Sequence, residues 1–386
     1  MRGTGKPVRT VAFYMDADAW PGGAELWLTH LIMGLRDAGW EVSLFLTDKR
    51  VTDTWASLLS KEGVDVTRVR GMREVDRAAA SEAARALRGF PLVHVNKTHP
   101  RACLPAIAGA RRAGARALVL SEHVVLPARS RYPLGASVVR RLVARANAAA
   151  DLITVPSDAS RRQYVEAYGP DPDKVVTVRG AVELSLYGEA VDTAAVRRSL
   201  GAPEEGPVGA VVSRLDRGKG VETAFRAVPL IRERLPDFRL VVVGTGALAG
   251  ELEELRDRLG LADVVTMVGS RDDVPSVLSA VDVLLVPSES ETGGLTSMEA
   301  GAASTPVVAT NVGGLPEVVR SGETGLLVPP RDERALAEAA VRILTDVGLS
   351  RRMGRAGREL AERDFSRERL VEDVISLYGR VLGAEM

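Results

Sequence analysis

The sequence predicts an α/β protein built from two doubly wound parallel-sheet domains in tandem. Three observations carry that expectation. Short β-branched runs alternate with longer helical patterns along nearly the whole chain, and strands separated by helices pair in parallel through right-handed crossovers. The runs lack apolar–polar alternation, as expected of strands covered by helices on both faces. The series also pauses over 180–205 and then begins again. A length of 386 residues fits about two domains at roughly 100–200 residues each.

In order, strands are expected over 8–15, 41–47, 64–69, 92–95, 116–120, 152–155 and 175–178. Helices fall among them, over 24–38, 100–113 and 134–150. The pause holds one short helical piece at 193–200 and the Gly/Pro-punctuated connection Gly201-Ala-Pro-Glu-Glu-Gly-Pro207. Strands resume over 208–213, 240–243, 264–268, 281–286, 306–309 and 325–328. The remainder reads as helix only, closing on a long helix over 365–382. The domains are placed at 1–185 and 186–365. Ligands of such sheets bind at the carboxyl ends of the strands, so two sheets facing one another would enclose a cleft there.

Lysine plus arginine and aspartate plus glutamate both number 51, giving a formal net charge of zero. A protein that neutralises nucleic-acid phosphates should be basic overall, so nucleic acid is not an expected partner. The zero conceals a split. Residues 1–185 hold 27 basic and 19 acidic residues, and the remainder is acidic by the same margin. Most of the basic excess lies in 97–162, with 12 basic and 3 acidic residues. That stretch reads either as a solvated Arg-rich surface or as a face for an acidic partner or anionic lipid. Val138-Val-Arg-Arg-Leu-Val-Ala-Arg145 within it is amphipathic and basic. The single cysteine, Cys103, allows no internal disulfide, and no apolar run approaches the ~20 residues of a membrane span. The expectation is a cytoplasmic protein, to which the lipid reading of that stretch would add peripheral contact with the inner face of the membrane.

Four segments follow strands and carry candidate chemistry. The densest is Pro287-Ser-Glu-Ser-Glu-Thr-Gly-Gly-Leu-Thr-Ser-Met-Glu-Ala-Gly-Ala302. Gly293-Gly294 permits a tight turn, and a helix beginning near Leu295 would offer free N–H groups to an anion. Glu291 precedes that helix and Glu299 lies about a turn inside it. Carboxylates there can orient sugar hydroxyls, or merely compensate the helix dipole. The second segment is Ser213-Arg-Leu-Asp-Arg-Gly-Lys-Gly220, where Arg214 and Lys219 flank a glycine turn suited to a diphosphate. It is not a P-loop, since Gly-x4-Gly-Lys-Ser/Thr is absent. The third is Trp20-Pro-Gly-Gly-Ala-Glu25, opening the first helix. It is not Gly-x-Gly-x-x-Gly, and Asp48 is the nearest acid to a ribose-binding position, which weighs against a nicotinamide enzyme. The fourth, Val243-Gly-Thr-Gly246, reads as a structural βα turn. Among four histidines, His123 in Ser121-Glu-His123 follows a strand; His94 and His99 lie near another strand end. No zinc spacing and no Asp-rich metal loop is present.

Taken together, these residues resemble the retaining glycosyltransferases of family 4, which have the GT-B fold of two Rossmann-like domains. The resemblance rests on Glu291…Glu299-Ala300, Thr305-Pro-Val-Val-Ala309, Asn311-Val-Gly-Gly-Leu-Pro-Glu317, Gly322-Glu-Thr-Gly-Leu-Leu-Val328 and Ser213-Arg214…Lys219-Gly220. Gly22-Gly23-Ala-Glu25, Ala38-Gly-Trp-Glu-Val42 and His123 match more loosely. The usual Glu-Gly-Phe-Gly stands here as Glu291-Thr-Gly-Gly294, and the usual Asn-Gly-Val-Asp as Arg179-Gly-Ala-Val-Glu183.

The resemblance implies a role for each matching residue. Arg214 and Lys219 would hold the donor diphosphate, Glu299 the nucleotide ribose, and Glu291 hydroxyls of the transferred sugar. Gly294, Leu295 and Thr296 would add backbone contacts, and Gly22 and Gly23 would let the first loop meet phosphate and acceptor. His123 would contact sugar or acceptor near the reaction centre. The final helix, 366–386, would cross back onto the first domain, which receives the acceptor, while 186–365 binds the donor. The co-substrate implied is a UDP- or GDP-linked sugar, with no further cofactor and no metal. The acceptor would be a small molecule, a glycan or a lipid-linked hydroxyl. Three other readings remain: a GT-B nucleotide-sugar epimerase or other non-transfer enzyme, an NAD-dependent dehydrogenase, and a non-catalytic carbohydrate-binding or scaffold protein, against which Arg214, Lys219, Glu291 and Glu299 together argue.

Overall fold

A computed structural model of the chain describes residues 9–16, 22–47, 52–69, 77–99, 101–125, 136–188 and 191–383. Val8, Trp20, Pro21, Asp48, Pro100, Arg129, Arg131 and Leu134, which enter the sequence expectations, lie outside these residues. The chain forms two compact units, residues 1–180 with 367–386, and residues 181–366.

The first unit is a parallel sheet of seven strands: β1 (Thr10–Met15), β2 (Glu41–Thr47), β3 (Asp65–Val69), β4 (Leu92–Lys97), β5 (Ala117–Glu122), β6 (Leu152–Val155) and β7 (Val175–Thr177). Their order across the sheet is β3-β2-β1-β4-β5-β6-β7. The second unit has six parallel strands: β8 (Val208–Val212), β9 (Arg239–Val243), β10 (Val265–Gly269), β11 (Val283–Val286), β12 (Val307–Thr310) and β13 (Gly325–Val328). Their order is β10-β9-β8-β11-β12-β13. Every residue of β4 and of β5 is buried, which is why these runs carry no alternation.

Where element ends depart from the sequence pattern, local chemistry accounts for it. Pro306 has no N–H to give the ladder, so β12 opens at Val307. The helix expected from 100 starts at Leu104, because residues 101–103 form a turn that ends with Cys103 in the left-handed region (φ 59°). The last helix, Arg367–Leu382, belongs to the first unit. It packs on helix Gly23–Asp37 at Gly34, where a Cβ would lie 2.3 Å from Val371 Cγ2. Only a residue without a side chain allows that approach.

Both units are pinned at the amino-terminal ends of their strands by one device. Arg111 donates from Nε to the Ala149 carbonyl (2.7 Å) and from Nη2 to Asp151 Oδ2 (2.8 Å), and that oxygen also accepts from Leu118 N–H of β5 (2.8 Å). In the second unit Arg197 donates from Nε to the Ala280 carbonyl (2.7 Å) and from Nη2 to Asp282 Oδ2 (3.0 Å), which accepts from Val208 N–H of β8 (2.7 Å). Each clamp ties two helices to adjacent strands through charge-assisted hydrogen bonds. The differences between the units lie at the opposite, carboxyl edges.

Candidate active site at the carboxyl edge of the second sheet

An open parallel sheet gapes where its strand order reverses, and ligands enter there. In the second unit the reversal lies between β8 and β11. Their register runs over Val283↔Gly209 and Leu284↔Ala210, in the amino-terminal part of each strand. The loops that follow, Ser213–Gly220 and Pro287–Gly294, are the two richest in candidate residues.

Backbone contact locks these loops together. Gly218 accepts a hydrogen bond from Glu289 N–H (2.8 Å), and the Glu291 carbonyl accepts from Gly314 N–H (3.0 Å). Gly220 (φ 66°) and Gly313 (φ 53°) make this possible: a Cβ would lie 2.0 Å from the Pro287 carbonyl oxygen at the first and 1.8 Å from that of Glu291 at the second. No side chain fits either position. Val243-Gly-Thr-Gly246 contributes in the same sense: Leu215 N–H donates to the Thr245 carbonyl (2.8 Å), and Leu248 N–H to that of Leu215 (2.9 Å). That turn seats the Arg214 loop.

On this raft Lys219 Nζ donates to Glu291 Oε2 at 2.7 Å, with the two side chains 23% and 16% exposed. The other carboxylate oxygen, Oε1, accepts from Thr292 N–H (3.2 Å). Gly294, left-handed at φ 71°, caps helix Leu295–Ala302. Leu295 and Thr296 therefore begin a helix whose leading N–H groups and positive dipole end face the same edge. Glu299 lies in that helix, half-buried, and desolvation pushes its carboxyl up from 4.5 to about 7. No hydrogen bond or ion pair among the described residues engages the Glu299 carboxylate. Arg214 stands apart. Its guanidinium is 62% exposed and pairs with Asp216 (2.9 Å), not with Glu291. Sequence reading did not single out the partnership of Arg331 with Glu289. Arg331, left-handed at φ 59° after β13, grips that carboxylate through Nε (2.7 Å) and Nη2 (2.5 Å).

Gly22, Gly23 and His123 lie at the carboxyl edge of the first sheet. Gly22 is the N-cap of helix Gly23–Asp37, and its N–H donates to Glu25 Oε2 (2.8 Å). His123 meets Trp27 edge-on at 4.9 Å, and its Nε2 lies 3.1 Å from Asn96 Oδ1. Burial lowers its pKa to about 4, so the imidazole is neutral at physiological pH.

Beneath His123 lies a network the sequence did not disclose. Lys97 and Glu122, facing residues of β4 and β5, form an ion pair at 2.5 Å with both side chains 0% exposed. Tyr164 hydroxyl lies 2.7 Å from Glu122 Oε1 and 2.8 Å from Asn147 Oδ1. The hydroxyl carries one proton, so turning the Asn147 amide lets its NH2 donate to Tyr164 while Tyr164 donates to Glu122. Alongside, His94 holds Tyr378 hydroxyl through Nδ1 (2.6 Å) and Ser121 Oγ through Nε2 (2.7 Å). The one available signal was a charged residue closing each of two neighbouring apolar strands.

The basic stretch is partly consumed inside the fold. Lys97 is buried, Arg111 serves the clamp, and Arg161 donates to the Val175 (2.6 Å) and Pro172 (2.9 Å) carbonyls. Helix Ala136–Ala149 buries Val139, Val143 and Ala146 and leaves Arg140, Arg141 and Arg145 exposed. No helix among the described residues is long and apolar enough to cross a membrane.

Comparison with known proteins agrees with this architecture. The D-inositol 3-phosphate glycosyltransferase of Acidothermus cellulolyticus is 38% identical over 252 residues, covering 62% of this chain and 56% of that protein. The same-named protein of Saccharomonospora viridis is 32% identical over 307 residues, covering 77% and 66%. The chain thus spans less than two thirds of the length of these relatives. Among solved structures, sucrose-phosphate synthase of Thermosynechococcus elongatus matches with a TM-score of 0.79 and 26% identity, covering 97% of this chain and 99% of that one. Anabaena HepE in complex with UDP and glucose matches at 0.84 and 21%, covering 96% and 99%. The fold is GT-B. Residues 21–186 match the model described as Glycosyltransferase Family 4, and 192–360 the one described as Glycosyl transferases group 1. With both halves so matched, the chain belongs to glycosyltransferase family 4.

Proposed function

We propose that this chain transfers a sugar from a nucleotide-diphosphate sugar to an acceptor hydroxyl. The observation that carries the reading is the Lys219–Glu291 pair at the strand-order reversal, just ahead of the N–H end of helix Leu295–Ala302. A cation, a carboxylate and a helix terminus are the groups that diphosphate and sugar hydroxyls require. Lys219, Arg214 and the N–H groups after Gly294 stabilise the diphosphate as charge builds on it, without a metal. Glu291 orients the sugar and Glu299 the ribose. The second unit takes the donor. The first unit, with Gly22, Gly23 and His123 at its edge, takes the acceptor, and the neutral imidazole of His123 acts there as a hydrogen-bonding group.

Family membership supports retention at the anomeric carbon through an oxocarbenium-like transition state. The donor is UDP- or GDP-linked. The acceptor is a small molecule, a glycan or a lipid-linked hydroxyl, and the relatives' name makes inositol phosphate the first to try. The protein works in the cytoplasm, with the exposed arginines of helix Ala136–Ala149 as its means of meeting an anionic membrane.

A thermal-shift panel of UDP- and GDP-sugars identifies the donor, because a specific ligand raises the unfolding temperature by mass action. With that donor, Lys219→Ala and Glu291→Ala each lower transfer at least about a hundredfold, equivalent to ~2.7 kcal/mol. Near-wild-type transfer in either variant discards the site. An epimerised nucleotide sugar formed without acceptor replaces transfer with epimerisation, and the anomeric proton coupling of the product decides retention.

A further inference from the structure

The cation assigned to the donor diphosphate is engaged by a carboxylate. Lys219 Nζ lies 2.7 Å from Glu291 Oε2, and the backbone of each residue is anchored. Glu291 is held through its carbonyl by Gly314 N–H (3.0 Å), and Lys219 N–H donates to the Asp216 carbonyl (3.2 Å). Only the two side-chain ends can exchange partners.

We propose that Glu291 discriminates the intact nucleotide sugar from the bare nucleoside diphosphate by competing for Lys219. This rests on the donor-site reading above. A nucleotide sugar satisfies both members of the pair: its diphosphate takes Lys219, and its sugar hydroxyls donate to the carboxylate that Lys219 releases. A nucleoside diphosphate satisfies only the first. It leaves an ionised carboxylate unpaired and partly buried beside a second anion, an arrangement that desolvation and like-charge repulsion both oppose. The pair therefore weakens the site's hold on the product that remains after transfer, while a bound sugar converts the same carboxylate into an acceptor of hydrogen bonds.

The consequence is an inversion of sign. Neutralising Glu291 without changing its shape removes the competitor for Lys219 and the repulsion on the diphosphate, but it also weakens the hold on the sugar. Calorimetric titration of the full chain with UDP, GDP, UDP-glucose and GDP-mannose reads both effects. In Glu291→Gln the bare diphosphate that binds the wild type binds about tenfold more tightly, and its sugar-linked form binds about tenfold more weakly. Glu291→Asp keeps the charge, so affinity for the bare diphosphate stays within about twofold while the sugar-linked form weakens. Circular dichroism confirms that each variant is folded.

If bare-diphosphate affinity is unchanged or weaker in Glu291→Gln, or if both ligands shift in the same direction, the exchange is overturned and the donor site stands. If neither UDP nor GDP binds the wild type, the donor site itself is wrong and the exchange falls with it.

Discussion

The two sheets share a topology and an Arg–Asp clamp, yet their carboxyl edges are wired in opposite ways. At the first edge the ionisable groups are sealed in. Lys97 and Glu122 are paired at 0% exposure, and His94 is held on both ring nitrogens. At the second edge the groups are partly open. Lys219 and Glu291 remain 23% and 16% exposed, Arg214 reaches solvent, and the Glu299 carboxylate is unengaged among the described residues. A sealed pair cannot exchange its partner for a ligand without stranding a charge in low dielectric, whereas a half-open pair can. The first edge is sealed, and the second, on the proposed exchange, trades contacts.

The largest test of that contrast is to delete one cation from each edge. Lys97→Met leaves Glu122 buried beside Tyr164 without its counter-charge, at a cost of about 3–5 kcal/mol. Lys219→Met leaves a carboxylate that still reaches solvent and accepts from Thr292 N–H, so it costs less stability than Lys97→Met, while on the proposed donor site it lowers transfer at least about a hundredfold. Hydrogen exchange on the full chain reads the two units separately: Lys97→Met speeds opening in β4 and β5, while β8 and β11 stay protected. Equal and small effects at both edges would erase the distinction.

Acidification sharpens it. Burial, and secondarily the nearby His123, lower His94 to about 3, and burial lowers His123 to about 4, both from 6.5. Above 6.5 folded and unfolded states are equally deprotonated. Below it the unfolded chain binds protons that the folded one refuses, so stability drains as pH falls from 6.5 toward these values. His94 alone accounts for about 2 kcal/mol lost by pH 5. By NMR the His94 imidazole should show no titration between pH 5 and 8. A midpoint above 5.5 contradicts its sealed environment.

The contrast also explains what could be read from the sequence. The strands were legible because β-branched runs recur at crossover spacing, and the second-edge candidates because each loop carries its unusual chemistry contiguously, as in Glu291-Thr-Gly-Gly294. The first-edge network is scattered over His94, Lys97, Ser121, Glu122, Asn147, Tyr164 and Tyr378, each ordinary alone. Its central pair exists because register sets Lys97 against Glu122, and Tyr378 arrives only through the returning helix. Neither pairing is a local property of the chain. Nor could spacing foresee that Arg214 would turn to Asp216, since an exposed guanidinium chooses among nearby carboxylates.

The smallest effect concerns Glu299. Desolvation raises its carboxyl to about 7, so the folded state keeps a proton that the unfolded state gives up near 4.5. This contribution to stability is greatest at acid pH and falls as pH rises from 4.5 to 7, the opposite sense to the histidines. Glu299→Gln should therefore be the more stable protein above pH 7 and lose its advantage near pH 4.5. Donor binding pulls the other way. On the proposed donor site, ribose hydroxyls would donate to the ionised carboxylate, so binding at pH 7 should release up to about half a proton. Titration in two buffers of different ionisation enthalpy measures that release, and Glu299→Gln should abolish it. Identical heats in both buffers would mean that the donor does not change the protonation of Glu299. The half-open edge would then trade contacts through Lys219 and Glu291 alone.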